Sequence, residues 1–314
     1  MYKNLLDKIN EYEYITIFHH QRPDGDCMFS SLALYHYLKD NFKDKKIKFA
    51  GFEIYDKISK FEKISDSFIR KSLAIVLDTS NINRVDDLRV KDADYIINID
   101  HHPVVESYGD INIVDTKCAA VSELLANILF SNTFKHLYLS ELVCEYLYCG
   151  ILTDTICFRT TSTTYKTLAV SSKLAKLGKF NIAEKVEYLF NKEANLFTKI
   201  TNLRSYFKID NKFGYILLEE KDLNKLELDH NEAKNQINEF SRISDINIWA
   251  FAVHNDGLYD VSVRSKRGYV INKICHDFGG GGHPNASGIR GLTKHQVKQL
   301  FHKLLEMSTT KVKM

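Results

Sequence analysis

The sequence predicts an α/β protein, a parallel sheet with helices on both faces followed by a helical connector and a smaller α/β domain. Three observations carry this. The first half alternates short, β-branched apolar runs with longer helical patterns, as in a sheet buried on both faces. Beyond Lys179 the texture becomes helical and polar, and a new set of strand-like runs begins at Tyr215. With 314 residues, 44% hydrophobic and 26% charged, the composition supports a core and excludes collagen-like, disordered and low-complexity classes. Length alone suggests two domains, expected over residues 1–185 and 211–314, with the connector at 186–210.

In order, strands are expected at Tyr14 to Phe18, Ile47 to Phe52, Leu73 to Leu77, Tyr95 to Ile99 and Ile111 to Val114. Helices are expected around Met28 to Leu38, Ala119 to Phe130, Ser140 to Ile151 and Thr164 to Leu177. Asn181 to Tyr206 reads as connector. The second domain is expected to hold strands at Tyr215 to Leu218, Ile246 to Val253 and Leu258 to Val263, a helical stretch to Phe240, and helices near Val270 to His276 and Lys294 to Leu305. Polar residues fall at the carboxyl ends of the first, third and fourth strands: His20 to Asp26, then Asp78, then Asp100 to His102. Ligands gather on that rim in open α/β sheets, so topology assembles a site from distant segments.

Backbone punctuation marks the same places. The chain has only 3 prolines and 14 glycines, where average usage gives roughly 16 and 22. Pro23 lies in the segment FHHQRPDGDCMFSS, Pro103 follows Asp100-His101-His102, and Pro284 follows the run Gly279 to Gly282. In the first segment His20, Asp24 and Asp26 are spaced H-x-x-x-D-x-D after a strand, and imidazole with carboxylates suits Mn, Mg or Zn. Pro23 fixes φ there, and Gly25 is expected to let the backbone turn sharply. Pro-Asp-Gly is equally a common turn. Asp78 ends the apolar run LAIVLD, where a buried carboxylate must be paired or metal-bound; the alternative is a helix N-cap before Thr79 and Ser80. Adjacent His101 and His102 at a strand end allow one imidazole to bind metal and the other to donate to phosphate. Asp154, ending an apolar helical run, is either a ligand or a cap. In FGGGGHPNASG, consecutive glycines let backbone N–H groups approach an anion, and His283 and Arg264 add charged donors; a flexible linker is the alternative.

Charge is uneven. Residues 260 to 314 carry ten Lys/Arg against three Asp/Glu, net +7, which leaves −4 of the total +3 on residues 1 to 259. A basic C-terminal lobe suits an anionic substrate, although a solvated basic tail produces the same count. The six cysteines form no CxxC pair and read as small buried side chains. No apolar stretch of 18 residues exists to span a bilayer, and Met1 to Ile9 lacks a signal-peptide core, so no membrane partner and a cytoplasmic location are expected.

Taken in order, His20-x3-Asp24-x-Asp26, Asp78, Asp100-His101-His102, Asp154 and the Gly279 to His283 run resemble the DHH phosphoesterases that carry a C-terminal DHHA1 domain. Within them the pattern is most similar to the bifunctional oligoribonuclease and 3′-phosphoadenosine 5′-phosphate (pAp) phosphatase group, the nanoRNase A type, over about residues 14 to 290. The resemblance implies two divalent ions, Mn2+ first with Mg2+ or Co2+ as alternatives. His20, Asp24 and Asp78 would hold one, and Asp26, Asp78, His101 and Asp154 the other. It implies catalytic roles for Asp78, Asp100 and His102, with His102 facing substrate phosphate, and substrate binding by Arg264, Ser265, Gly279, Gly280, Gly281, Gly282 and His283. Two positions depart from the family pattern: Phe29 and Ile156 stand where glycine is usual, and both bring bulk near the expected site.

The implied reaction is attack on phosphorus by a water activated between two ions, releasing mononucleotides from short RNA and AMP from pAp. Four ligand carboxylates, −4, match two divalent ions, +4, so substrate charge falls to His102, His283, Arg264 and the glycine amides. Separate domains for metals and glycines lead to the expectation of an interdomain cleft suited to short substrates. Rival substrates are a cyclic dinucleotide or short single-stranded DNA; a non-catalytic nucleic-acid binder is the rival from another class. The sequence leaves a homodimer open.

Overall fold

The computed structural model describes residues 2–51 and 63–310. Its elements fall into two units, Met1–Asn191 and Lys192–Met314. In the first, helix α1 (Tyr2–Glu11) leads to β1 (Tyr14–Phe18), α2 (Gly25–Asn41), β2 (Lys46–Phe49), α3 (Asp66–Ile69), β3 (Ser72–Leu77), β4 (Tyr95–Asp100) and β5 (Ile111–Val114). Four helices complete it: α4 (Val121–Leu129), α5 (Glu141–Asp154), α6 (Tyr165–Gly178) and α7 (Ile182–Phe190). Phe52, the last residue expected in the second strand, lies outside the described residues.

Among the described residues the first sheet runs β2-β1-β3-β4-β5, parallel throughout. Alternation decides which layer each side chain joins. Ile15, Ile17, Leu73, Ile75, Leu77, Ile97 and Ile99 face one core with Met28, Leu124, Leu147 and Ile151 from the helices. Phe18, Ala74 and Val76 face the other, with Ile69 of α3 and Val85 and Val90 beside short 3-10 turns. Among the described residues helical cover is therefore unequal: long helices on one face, one helical turn and 3-10 segments on the other. Gly25 does not have positive φ; a Cβ there would come 2.5 Å from Thr153 Cγ2, so glycine is needed because α2 and α5 pack closely. The backbone turn is made instead at Arg22, with φ 53°.

The second unit begins with α8 (Ala194–Leu203) and continues through β6 (Lys208–Asp210), β7 (Phe213–Leu218), α9 (Glu220–Leu226) and α10 (His230–Asn235). There follow β8 (Ile248–Asn255), β9 (Leu258–Ser265), α11 (Asn272–Asp277), β10 (Gly281–His283), β11 (Ala286–Leu292) and α12 (Lys294–Thr309). Its mixed sheet runs β10-β11-β9-β8-β7-β6. One face packs Val261, Val263 and Ile289 on Val297, Leu300 and Leu304 of α12; the other packs Ile216, Phe251 and Val253 on Leu226, Ile237 and Phe240. The residues read as a connector divide, α7 going with the first unit and α8 with the second. Helix α1 and strands β6, β10 and β11 were not foreseen. Glycine density conceals β10 and β11, because a strand of GGH has no side-chain alternation to reveal it.

Candidate metal centre and glycine strand

The order 2-1-3-4-5 puts the topological switch between β1 and β3, the crevice where this architecture places ligands. His20 follows β1 and Asp78 follows β3, and His20 Nε2 lies 3.6 Å from Asp78 Oδ2. His101, following β4, sets Nε2 3.5 Å from Asp78 Oδ1 and 3.7 Å from Asp154 Oδ2. Asp78 thus stands between two imidazoles, one at each oxygen. Its φ of 61° is left-handed, an uncommon conformation for a residue with a side chain. No helix starts at Thr79, which removes the N-cap alternative.

Hydrogen bonds on the far edge of each ring fix its orientation. His20 Nδ1 pairs with the Gln21 carbonyl at 2.8 Å and His101 Nδ1 with the Cys118 carbonyl at 3.2 Å, turning both Nε2 atoms inward. This is the outer-shell pattern of metal-ligating histidines. Asp26 is fully buried and accepts from Val121 N at 2.6 Å and Ser122 N at 3.0 Å, at the start of α4. Asp154 is the last residue of α5, where the negative end of the helix dipole disfavours a carboxylate, so a capping role is excluded.

Two further groups of ligand atoms lie within 4.8 Å of one another besides Asp78-His101-His102: Asp26-His101-Asp154 and His20-Cys27-Asp78. Asp24 does not join these groups. It is exposed and N-caps α2, accepting from Cys27 N at 3.1 Å, while Asp26 lies in the buried cluster. Cys27 was missed as a site residue. Its signal was position, immediately after Asp26, but burial alone accounts equally well for a cysteine.

Asp100 is buried. Its Oδ1 accepts from the backbone N of His101 at 2.8 Å and of His102 at 3.1 Å, and pairs with His102 Nδ1 at 2.8 Å. Its contacts thus run to His102, whose ring is 28% exposed. Phe29 packs against Tyr146, ring centroids 6.1 Å apart, and so directs its bulk into the α2–α5 interface. Ile156, Cys157 and Phe158 are consecutively left-handed, with φ of 48°, 57° and 63°, which is why glycine suits position 156. Thr155 holds this turn: its hydroxyl accepts from Phe158 N and its carbonyl from Arg159 N.

The electrostatics are those of a site built for cations. Burial, then the charge of Asp78, lifts Asp26 to about 7. Burial, then Asp26, also lifts Asp154 well above the carboxylate range. Burial opposes charge on Asp78, yet His101, His20 and His102 hold its carboxyl below the usual range. Burial likewise opposes charge on His20, but Cys27 and Asp78 outweigh it and lift the imidazole to about 12. Asp78 Oδ1 is buried with no hydrogen-bond partner. Carboxylates that resist ionising together, and an orphaned buried oxygen, are what bound divalent ions relieve. The donor set of imidazole and carboxylate fits Mn, Mg or Co.

In the second unit the glycine run is structured. Gly279 ends α11 with φ 77°, and β10 pairs with β11 through Gly281–Gly288 and Gly282–Ser287, so the run is not a linker. A Cβ on Gly280 would meet Gly288 O at 2.5 Å, and one on Gly282 would meet Ala286 O at 2.5 Å. At Gly281 it would meet nothing. Arg264 lies in β9 opposite Ala286 of β11; burial lowers its guanidinium to about 10, and no carboxylate pairs with it among the described residues. His283 lies in β10 and is half-buried. Ser265 is buried, donating to Tyr269 O at 2.6 Å and accepting from Asn285 Nδ2 at 2.8 Å, so its hydroxyl closes the turn after β9.

Comparison with known proteins decides the family. Residues 14–151 match the DHH family, N-terminal domain, and residues 213–309 the DHHA1 domain. A protein of Streptococcus mutans named a probable bifunctional oligoribonuclease and PAP phosphatase NrnA is 33% identical, over 96% of this chain and 97% of its own. The chain belongs to the DHH phosphoesterase family. Another member, the Bacillus subtilis bifunctional oligoribonuclease and PAP phosphatase NrnA, is 30% identical over 92% of both chains. The DHH fold extends to an exopolyphosphatase-related protein of Bacteroides fragilis, TM-score 0.84 at 23% identity, covering 98% of this chain and 97% of that one. DHH phosphoesterases are metal-dependent, and this chain gathers histidine and aspartate groups that could hold an ion.

Proposed function

We propose that this protein hydrolyses short oligoribonucleotides to mononucleotides and removes the 3′-phosphate of pAp to give AMP. The observation that carries the reading is Asp78 between two inward-turned imidazoles, His20 at 3.6 Å and His101 at 3.5 Å, with Asp26 and Asp154 behind them. The relatives named for these two activities support it over nearly the whole length. His20 and Asp78 would hold one divalent ion, with Asp24 as its further candidate ligand, and Asp26, Asp78, His101 and Asp154 the second. Mn2+ is the first candidate for both. Two such ions supply Lewis acidity toward phosphorus and an activated water nucleophile.

The protein's own groups do the rest. Asp100 pairs with His102 Nδ1 at 2.8 Å and so orients the imidazole that would bind substrate phosphate. In the second unit Arg264, the open Gly281 and His283 would meet substrate charge. Mn-dependent release of AMP from pAp and of mononucleotides from a labelled RNA trimer, with a cyclic dinucleotide and single-stranded DNA in parallel, tests the assignment. Preference for either of the latter would reassign the substrate. Near-wild-type hydrolysis by folded Asp78→Ala would overturn the two-metal reading.

A further inference from the structure

Cys27 is wholly buried on the first turn of α2, directly after Asp26. Its Sγ lies within 4.8 Å of ligand atoms of both His20 and Asp78 and is 3.9 Å from the Leu77 carbonyl. The Leu77 contact is a weak one for sulfur, and the thiol is not part of a disulfide. Asp78, 3% exposed, contributes to the same cluster, its Oδ2 3.6 Å from His20 Nε2. Asp24, the carboxylate otherwise expected at this ion, is exposed and accepts from Cys27 N through Oδ1.

We propose that Cys27 Sγ is a ligand of the ion held by His20 and Asp78, so that one of the two metal positions carries a sulfur donor and the other only nitrogen and oxygen. This rests on the two-metal reading above. A soft donor at one position makes it prefer thiophilic ions such as Co2+, Zn2+ or Cd2+ over Mg2+, while the Asp26-His101-Asp154 position keeps a hard preference. Binding releases the thiol proton to solvent as the metal–sulfur bond forms.

The test is the absorption spectrum of the full-length protein loaded with Co2+, recorded for wild type, Cys27→Ala, Cys27→Ser and, as a control for the other thiol near the site, Cys118→Ala. The expected result is visible d–d bands in all four, with a near-ultraviolet sulfur-to-cobalt band present in wild type and Cys118→Ala and lost in both Cys27 variants. Cd2+ affinity by competition should fall at least about tenfold in Cys27→Ala, and Mg2+ affinity far less. Cobalt bound by wild type without the near-ultraviolet band overturns the sulfur ligand alone. No cobalt bound by wild type overturns the two-metal reading and this proposal together. Circular dichroism of the variants keeps a folding defect from imitating loss of the band.

Discussion

Asp26 accepts a hydrogen bond from the backbone N of Ser122 at 3.0 Å, across 96 residues of sequence. One carboxylate thereby anchors the start of α4 and faces the metal cluster. The pair sits under Gly150 of α5, where a Cβ would come 2.0 Å from Ser122 Oγ and 2.9 Å from Asp26 Oδ1. Gly150→Ala should displace Asp26, lowering Mn2+ affinity and turnover at least tenfold and stability by about 1–3 kcal/mol through overpacking. Metal titration and thermal melts measure both; unchanged Mn2+ affinity would show that the carboxylate does not need its present place.

The metal-free protein should lose stability as pH rises from 5 to 8. Asp26, lifted to about 7 by burial and Asp78, holds a proton in the fold that the unfolded chain gives up near 4. Its stabilising contribution is full below the unfolded value and lost as pH rises through about 7. His20, lifted to about 12, acts in the same direction above its unfolded value of about 6.5. Asp78, held low, changes only below about 4, outside this range. Bound Mn2+ should raise the melting midpoint most at the alkaline end. A metal-free midpoint that climbs across the interval would contradict the burial of these groups.

Arg264→Ala should raise KM for pAp and for an RNA trimer by at least tenfold while sparing hydrolysis of a small ester such as bis-p-nitrophenyl phosphate, because a guanidinium contacting phosphate oxygens gives strong charge-assisted bonds. Gly281→Ala offers a second view. With open space at its Cβ, the substitution should leave the thermal midpoint unchanged and still raise KM for nucleotides. Equal losses on nucleotides and the small ester would assign Arg264 to the chemistry instead.

Ile156→Gly should be neutral or stabilising by up to about 1 kcal/mol, since a β-branched residue in the left-handed region stores roughly 1–2 kcal/mol of strain and the added freedom of the unfolded chain offsets part of it. Glycine at an ordinary helical position destabilises instead. Denaturant melts decide the sign; a loss above about 1 kcal/mol would show that the isoleucine side chain contributes packing that outweighs its strain.

Much of this protein is legible in one dimension. Short, β-branched apolar runs from Tyr14 to Val114 placed the five parallel strands within a residue or two where they are described, because a sheet buried on both faces leaves little choice of residue. The same runs ended in His20, Asp78 and His101, so topology alone brought those three to one rim. The scarce prolines and glycines pointed to the right segments. Their reasons were decided in three dimensions: Gly25 and Gly150 are set by the approach of another helix, and the glycine run is partly a paired strand.

What only the tertiary structure decided is the use made of each polar atom. Asp24 and Asp26, two residues apart in one motif, go separate ways, one to a helix cap in solvent and one into the buried cluster. Asp100 supports His102, Ser265 closes a turn, and Cys27 enters the site. Motif spacing fixes which residues can converge, since strand ends lie side by side in a parallel sheet. Which of them lose water, and which neighbour then satisfies them, depends on helices 96 residues away, and no local pattern records that contact.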